Sequence, residues 1–273
     1  MSVHFDYTGQ HVVVFGGTTG INFGIACAFA QVGAKVTVAS RSQANVDAAV
    51  AQLAALGAQA LGLVADVRSD DSVAQAMAQA HARFGDIDVL VSGAAGNFLA
   101  EVNELSSNGF KVVVDIDLNG TFHVMRRAYP YLKKPGASLI NITAPQSVVP
   151  MRFQAHVCAA KAGVDQLTRV LALEWGGVGV RVNAISPGPI DGTEGMRRLS
   201  PQSPEGQAQV RNAVPLRRLG TPQDVANLAM FLGSDAASYI TGAIIPCDGG
   251  GAGESVKPMI EAAAQQQKQN APA

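Results

Sequence analysis

Two charged side chains stand inside apolar, helix-like runs, and their types suit proton and cofactor chemistry. Lys161 lies near the start of a run in which Ala160, Val164, Leu167 and Leu171 share one face. It either snorkels to the surface or serves a bound cofactor. Asp117 interrupts the pattern Val113, Val114, Ile116, Leu118 and Phe122. It is either a partly exposed or capped carboxylate, or one aimed at an active site. A third feature is the glycine-rich turn Gly16-Gly17-Thr18-Thr19-Gly20-Ile21-Asn22, followed by Gly24. Glycines let a backbone approach a pyrophosphate, and the free N–H groups of a following helix face its negative charge.

The elements that must position these residues can be read in order. Val12 to Phe15 is an apolar run of the kind found in buried parallel strands, and Ile25 to Phe29 reads as the helix after the turn. A second strand, Ala34 to Ala39, follows at the spacing of a dinucleotide-binding βαβ unit. At its end stand Ser40, Arg41 and Ser42. NAD-selective folds usually place a carboxylate here for the ribose 2′-hydroxyl. A guanidinium instead matches a 2′-phosphate in charge and geometry, so the expected cofactor is NADPH.

Ser42 is a candidate cap for a helix bearing Val46, Val50, Leu53 and Leu56. A third strand, Leu61 to Val64, ends at Asp66, which either accepts from an adenine amino group or caps a turn. A helix from about Ser72 to Phe84 and a strand from Asp86 to Val91 lead into Ser92-Gly93-Ala94-Ala95-Gly96-Asn97-Phe98, whose small residues admit a cofactor. Asp117 falls in one long helical stretch, 106–129. A strand from Ala137 to Ile142 precedes the helix of Lys161, and another from Val180 to Ile185 ends in Ser186-Pro187-Gly188-Pro189-Ile190. The stretch 191–217 reads as a mobile substrate loop with one short helix. A helix at 222–232 and a strand at 243–246 complete a single α/β domain over 1–255. Its expected core is a doubly wound, Rossmann-type parallel sheet flanked by helices, with ligands at the strand C-termini. The end of the chain, 256–273, reads as a flexible tail.

The 273 residues carry 20 Lys and Arg against 21 Asp and Glu, which gives no global pull toward nucleic acid or anionic membrane. No apolar stretch reaches the length of a bilayer span. The first residues lack the basic and apolar regions of a signal peptide, and Cys27, Cys158 and Cys247 are scattered. A cytoplasmic location with reduced thiols is the expectation. The five histidines form no metal-ligand spacing, and no metal is expected.

Taken together, the glycine turn, Asp66, SGAAG, NITA, Lys161 and PGPI resemble the short-chain dehydrogenase/reductase superfamily over about residues 8–250. The resemblance implies cofactor contacts by Gly16, Thr18, Thr19, Gly20, Ile21, Asn22, Ser40, Arg41, Asp66, Val67, Ala94, Ala95, Gly96, Lys161, Pro187, Gly188, Ile190 and Thr193. It also implies a tetrad of Asn, Ser, Tyr and Lys. Here the corresponding positions hold Asp117, Ala144, Val157 and Lys161. Valine and alanine can neither donate a proton to a carbonyl oxygen nor polarise it. A plain alcohol–ketone reaction is therefore disfavoured. Asn22 and Phe15 also depart from the superfamily's usual Gly and Thr.

A narrower set, AAGNFL at 94–99, LSSNGFKVVVDIDLNGTF at 105–122, Ala155 and His156 before Lys161, and PGPIDGTEGMRRL at 187–199, is similar to peroxisomal-type 2,4-dienoyl-CoA reductases. That similarity implies NADPH-dependent reduction of a dienoyl thioester in fatty acid metabolism. Asn97 and His156 would stabilise the oxyanion, Asp117 would orient water or relay the proton, and Lys161 would hold the nicotinamide ribose. An acyl-CoA-type substrate and a homo-oligomer, tetrameric by resemblance, are implied with it. The polyanionic coenzyme A suits a basic mouth, for which Arg197, Arg198, Arg211, Arg217 and Arg218 are candidates, or else a solvated surface. The alternatives are reduction of another activated alkene, such as an enoyl group on acyl carrier protein, and an inactive NADPH-binding regulatory protein.

Overall fold

The computed structural model describes residues 4–201, 203–251 and 256–269. Seven parallel strands form one sheet in the order β3-β2-β1-β4-β5-β6-β7. They are β1 (His11–Phe15), β2 (Lys35–Ser40), β3 (Ala60–Val64), β4 (Val89–Ser92), β5 (Ser138–Ile142), β6 (Arg181–Pro187) and β7 (Ile244–Cys247). β1 is buried along its whole length. Its side chains alternate between two cores: Val12 and Val14 face one, Val13 and Phe15 the other. This explains why the strand reads as an unbroken apolar run rather than an alternating one.

Helices α1 (Gly20–Gln31), α2 (Gln43–Ala55) and α9 (Pro222–Gly233) contribute to the first core. The second is covered by α3 (Asp70–Phe84), α5 (Gly120–Ala128) and α6 (Ala155–Trp175). Ser42 caps α2 as expected, accepting the Asn45 N–H at 3.3 Å. The chain direction reverses its neighbour order between β1 and β4, which opens a crevice at the strand C-termini. No helix among the described residues is long and apolar enough to cross a membrane.

Three stretches differ from the sequence reading. The long helix is broken into α4 (Ser107–Val114), a π-helical turn (Asp115–Asn119) and α5. The loop at 191–217 folds as two helices, α7 (Glu194–Leu199) and α8 (Pro204–Ala213). Each is capped by a side chain, Thr193 on the Met196 N–H and Ser203 on the Gly206 N–H. The expected flexible tail is corrected over 256–269, which forms α10 (Val256–Gln269); positions 270–273 lie outside the described residues. Val256, Met259, Ile260, Ala263 and Ala264 recur at helical spacing and are buried, with α10 packed on α7 and α8.

Candidate active site

A cleft of about 630 Å³ opens at the C-terminal ends of β1, β4, β5 and β6. The turn between β1 and α1 forms one wall. Gly16 sits at φ 72°, and a Cβ there would lie 2.8 Å from the Ala94 backbone nitrogen. Only glycine lets this turn meet the loop after β4 backbone to backbone. α1 then starts with no cap from the Thr19 side chain and no acidic residue in its first turn. Its first N–H groups are thus left for an external anion. Asn22 donates from Nδ2 to Gly93 O at 2.7 Å, tying α1 to β4, while its Oδ1 is buried without a partner. Every residue that the sequence reading gave to the cofactor lines this cleft. The unsatisfied helix start, the glycine cradle and the volume fit a nicotinamide dinucleotide.

Asp66 and Thr193 are also engaged within the protein. The Asp66 carboxylate forms a bidentate pair with Arg68, whose guanidinium holds it below the usual carboxylate range. Thr193 donates to Ile190 O at 2.8 Å besides capping α7. Ser40 and Arg41 line the cleft near Asp66, and the Arg41 charge adds to the lowering of the Asp66 pKa without forming an ion pair with it.

At the other end the π-helical turn separates two aspartates by their surroundings. Asp115 faces outward to Lys111 and Asn119, and the Lys111 hydrogen bond lowers its pKa. Asp117 faces inward and is 1% exposed. Its Oδ1 accepts the Gly96 N–H at 2.7 Å, which joins the loop after β4 to this turn. Its Oδ2 lies 3.2 Å from Lys161 Nζ without a well-aligned hydrogen bond, so the contact is an ion pair with room for a further donor. Lys161 also donates to Ile142 O at 3.1 Å, which brings its charge back over the end of β5. Ala144 and Val157 line the cleft beside it and add no polar group.

Asn97 lines the cleft, and His156 does not. His156 is fully buried, its ring packed edge-on against Phe98 at 4.4 Å between centroids. Neither ring nitrogen has a well-aligned hydrogen-bond partner. Burial lowers its pKa, opposed by the Asp117 charge. His156 is thus not among the residues lining the cleft, although the Asp117 charge reaches it. The sequence reading missed Gln146, Gln154 and the apolar mouth. Met196 and Leu199 of α7 with Val256 and Met259 of α10 line the cleft. Of the arginines that were candidates for a basic mouth or a solvated surface, Arg197 and Arg198 pair with Glu194, and Arg218 with Asp224.

A family model described as "Enoyl-(Acyl carrier protein) reductase" matches residues 16–251. The chain is 42% identical over 252 residues to a protein of Arabidopsis thaliana named peroxisomal 2,4-dienoyl-CoA reductase [(3E)-enoyl-CoA-producing], covering 89% of this chain and 84% of the relative. It is 39% identical over 242 residues to a Bacillus subtilis protein named probable 2,4-dienoyl-CoA reductase [(2E)-enoyl-CoA-producing], covering 88% and 95%. A solved structure of a putative gluconate dehydrogenase from Agrobacterium tumefaciens superposes with a TM-score of 0.84 at 30% identity, covering 92% of this chain and 99% of that one. The expectation of a cytoplasmic location is overturned by these comparisons, because relatives matched over most of the chain are named peroxisomal. Sequence, fold and cleft agree on one conclusion: the chain belongs to the short-chain dehydrogenase/reductase family, an oxidoreductase with a nicotinamide cofactor.

Proposed function

We propose that this enzyme reduces a 2,4-dienoyl-CoA to a (3E)-enoyl-CoA with NADPH. The observation that carries the reading is the cleft beside Lys161, where Val157 and Ala144 offer no proton to a carbonyl oxygen while Asp117 and Asn97 remain. A conjugated thioester needs no such proton, because charge entering at its far carbon spreads back to the thioester oxygen. The names of the relatives support the substrate.

A bound reduced nicotinamide supplies hydride for the δ-carbon. The residues of the chain do the rest. The amide of Asn97 donates to the thioester oxygen as it gains charge. Asp117, held by the Gly96 N–H, orients a water that delivers a proton to the α-carbon, which leaves the double bond between C3 and C4. Lys161 binds the ribose and keeps positive charge beside the Asp117 carboxylate. Ser40 and Arg41 hold the 2′-phosphate. The apolar mouth of α7 and α10 receives the acyl chain. A homo-oligomer, tetrameric by resemblance, belongs to the same reading, supported by exposed Phe122 and Leu173 on α5 and α6.

The test is a pair of assays with wild-type protein and Arg41→Ala. Turnover with NADPH is expected for dienoyl-CoA and not for an unactivated ketone. Arg41→Ala should raise the Kd of NADPH by roughly 10- to 100-fold, the size of one charge-assisted hydrogen bond, and leave NADH nearly unchanged. Efficient ketone reduction would refute the substrate, and equal losses for both cofactors would refute the 2′-phosphate contact.

A further inference from the structure

The cleft wall carries a line of three side-chain amides. Gln146 donates from Nε2 to Gln154 Oε1 at 2.7 Å, and Gln154 donates from Nε2 to Asn97 Oδ1 at 2.8 Å. Gln146 and Asn97 line the cleft, whereas Gln154 is 0% exposed and does not. A buried amide thus joins two cleft amides, one on the turn after β5 and one on the loop after β4. Gln154 occupies the N-cap position of α6, yet its side chain makes no bond to that helix. The residue before it, Phe153, holds a left-handed backbone at φ 66°, which bulky residues rarely adopt. The start of α6 therefore gives up a capping group and takes up an unfavourable turn, and the Gln154 amide reaches Asn97 instead.

Each amide has one accepting and one donating end. In a line of amides polarity propagates, since reversing one member sets two donors or two acceptors face to face unless the others reverse too. With Gln154 Nε2 on Asn97 Oδ1, the Asn97 nitrogen is left for the cleft, and no described residue accepts from it. Aligned amide dipoles also strengthen one another.

We propose that Gln154, supported by Gln146, is a positioning residue that fixes the Asn97 amide with its N–H toward the cleft, as a preset donor for charge developing on the substrate. A donor already in place needs no reorganisation when that charge appears. The identity of the charged atom as a thioester oxygen rests on the dienoyl-CoA reading above; the polarity of the amide line does not.

The test uses the full chain and reverses the line from either end. Gln154→Glu keeps the size but places an acceptor-only carboxylate against Asn97, whose amide must then donate to it and turn Oδ1 to the cleft. The kcat for dienoyl-CoA should fall about 100-fold at pH 8, the order expected for loss of one oxyanion donor. NADPH affinity should hold. Activity should recover on acidification as the introduced carboxyl gains a proton and donates again. Gln146→Glu should show the same acid-recovered loss, relayed through Gln154, and serves if the first variant fails to fold. Gln154→Leu should lose activity with no acid recovery. The side-chain amide resonance of Asn97, assigned by its absence in Asn97→Asp, should titrate with the introduced carboxyl in both Glu variants. Parallel pH profiles in Gln154→Glu and Gln154→Leu with a non-titrating Asn97 resonance would overturn the proposal. An inactive wild type with a titrating resonance would sink the dienoyl-CoA reading and leave the amide line standing.

Discussion

Replacing Asp117 by asparagine is expected to lower kcat for a 2,4-dienoyl-CoA by roughly 10²–10⁴, the range for loss of a positioned acid–base group. NADPH affinity should stay nearly unchanged. Asparagine keeps the size and can still accept the Gly96 N–H that anchors the wild-type carboxylate at 2.7 Å. What it loses is the charge and the proton-accepting oxygen that faces Lys161. Stopped-flow measurements separate binding from chemistry: the cofactor-binding phase should be unchanged, while the protonation that completes turnover slows. A variant with full kcat would show the aspartate to be structural.

Replacing Lys161 by methionine has a different signature. Asp117 and Lys161 are 1% and 6% exposed at their side chains, so removing the ammonium strands a carboxylate away from water. Breaking a buried ion pair from one side typically costs about 3–5 kcal/mol, and urea unfolding should show a loss of that order. Cofactor binding and turnover should fall with it, because the same ammonium is proposed to hold the ribose. The double variant Lys161→Met with Asp117→Asn should regain much of the stability without regaining activity, since it leaves no lone charge behind. Equal stability of the single and double variants would show that the pair is not electrostatically coupled.

Much of this architecture was legible because parallel strands covered on both faces read as nearly continuous apolar runs, as in Val12 to Phe15 of β1 and Val89 to Val91 of β4. Ser42 and the glycine turn were legible for a local reason: hydrogen-bond acceptors and small residues have few other uses at a helix start. The break around Asp117 was not, because a π-helical turn adds one residue to a helix without disturbing its apolar pattern enough to be seen. α8 hid in a polar stretch, although Ser203 followed by Pro204 is a readable helix start. α10 was obscured by its glutamines, while Val256, Met259, Ile260, Ala263 and Ala264 carried the helical spacing throughout. His156 shows the opposite failure. Its type and position looked chemical, and only its complete burial and its absence from the cleft lining show that it does not open onto the cleft. Gln146 and Gln154 carry no charge and no motif, and their meaning comes from a contact between three separate segments.

The most direct measurement of the central claim is product analysis of a single turnover in D₂O with NADPH and a 2,4-dienoyl-CoA. The mechanism predicts one NADPH oxidised per substrate and a (3E)-enoyl-CoA carrying solvent deuterium at C2, the carbon to which Asp117 directs the proton. A (2E)-enoyl-CoA with deuterium at C4 would contradict the assigned proton path, and no NADPH oxidation with dienoyl-CoAs of several chain lengths would contradict the function itself.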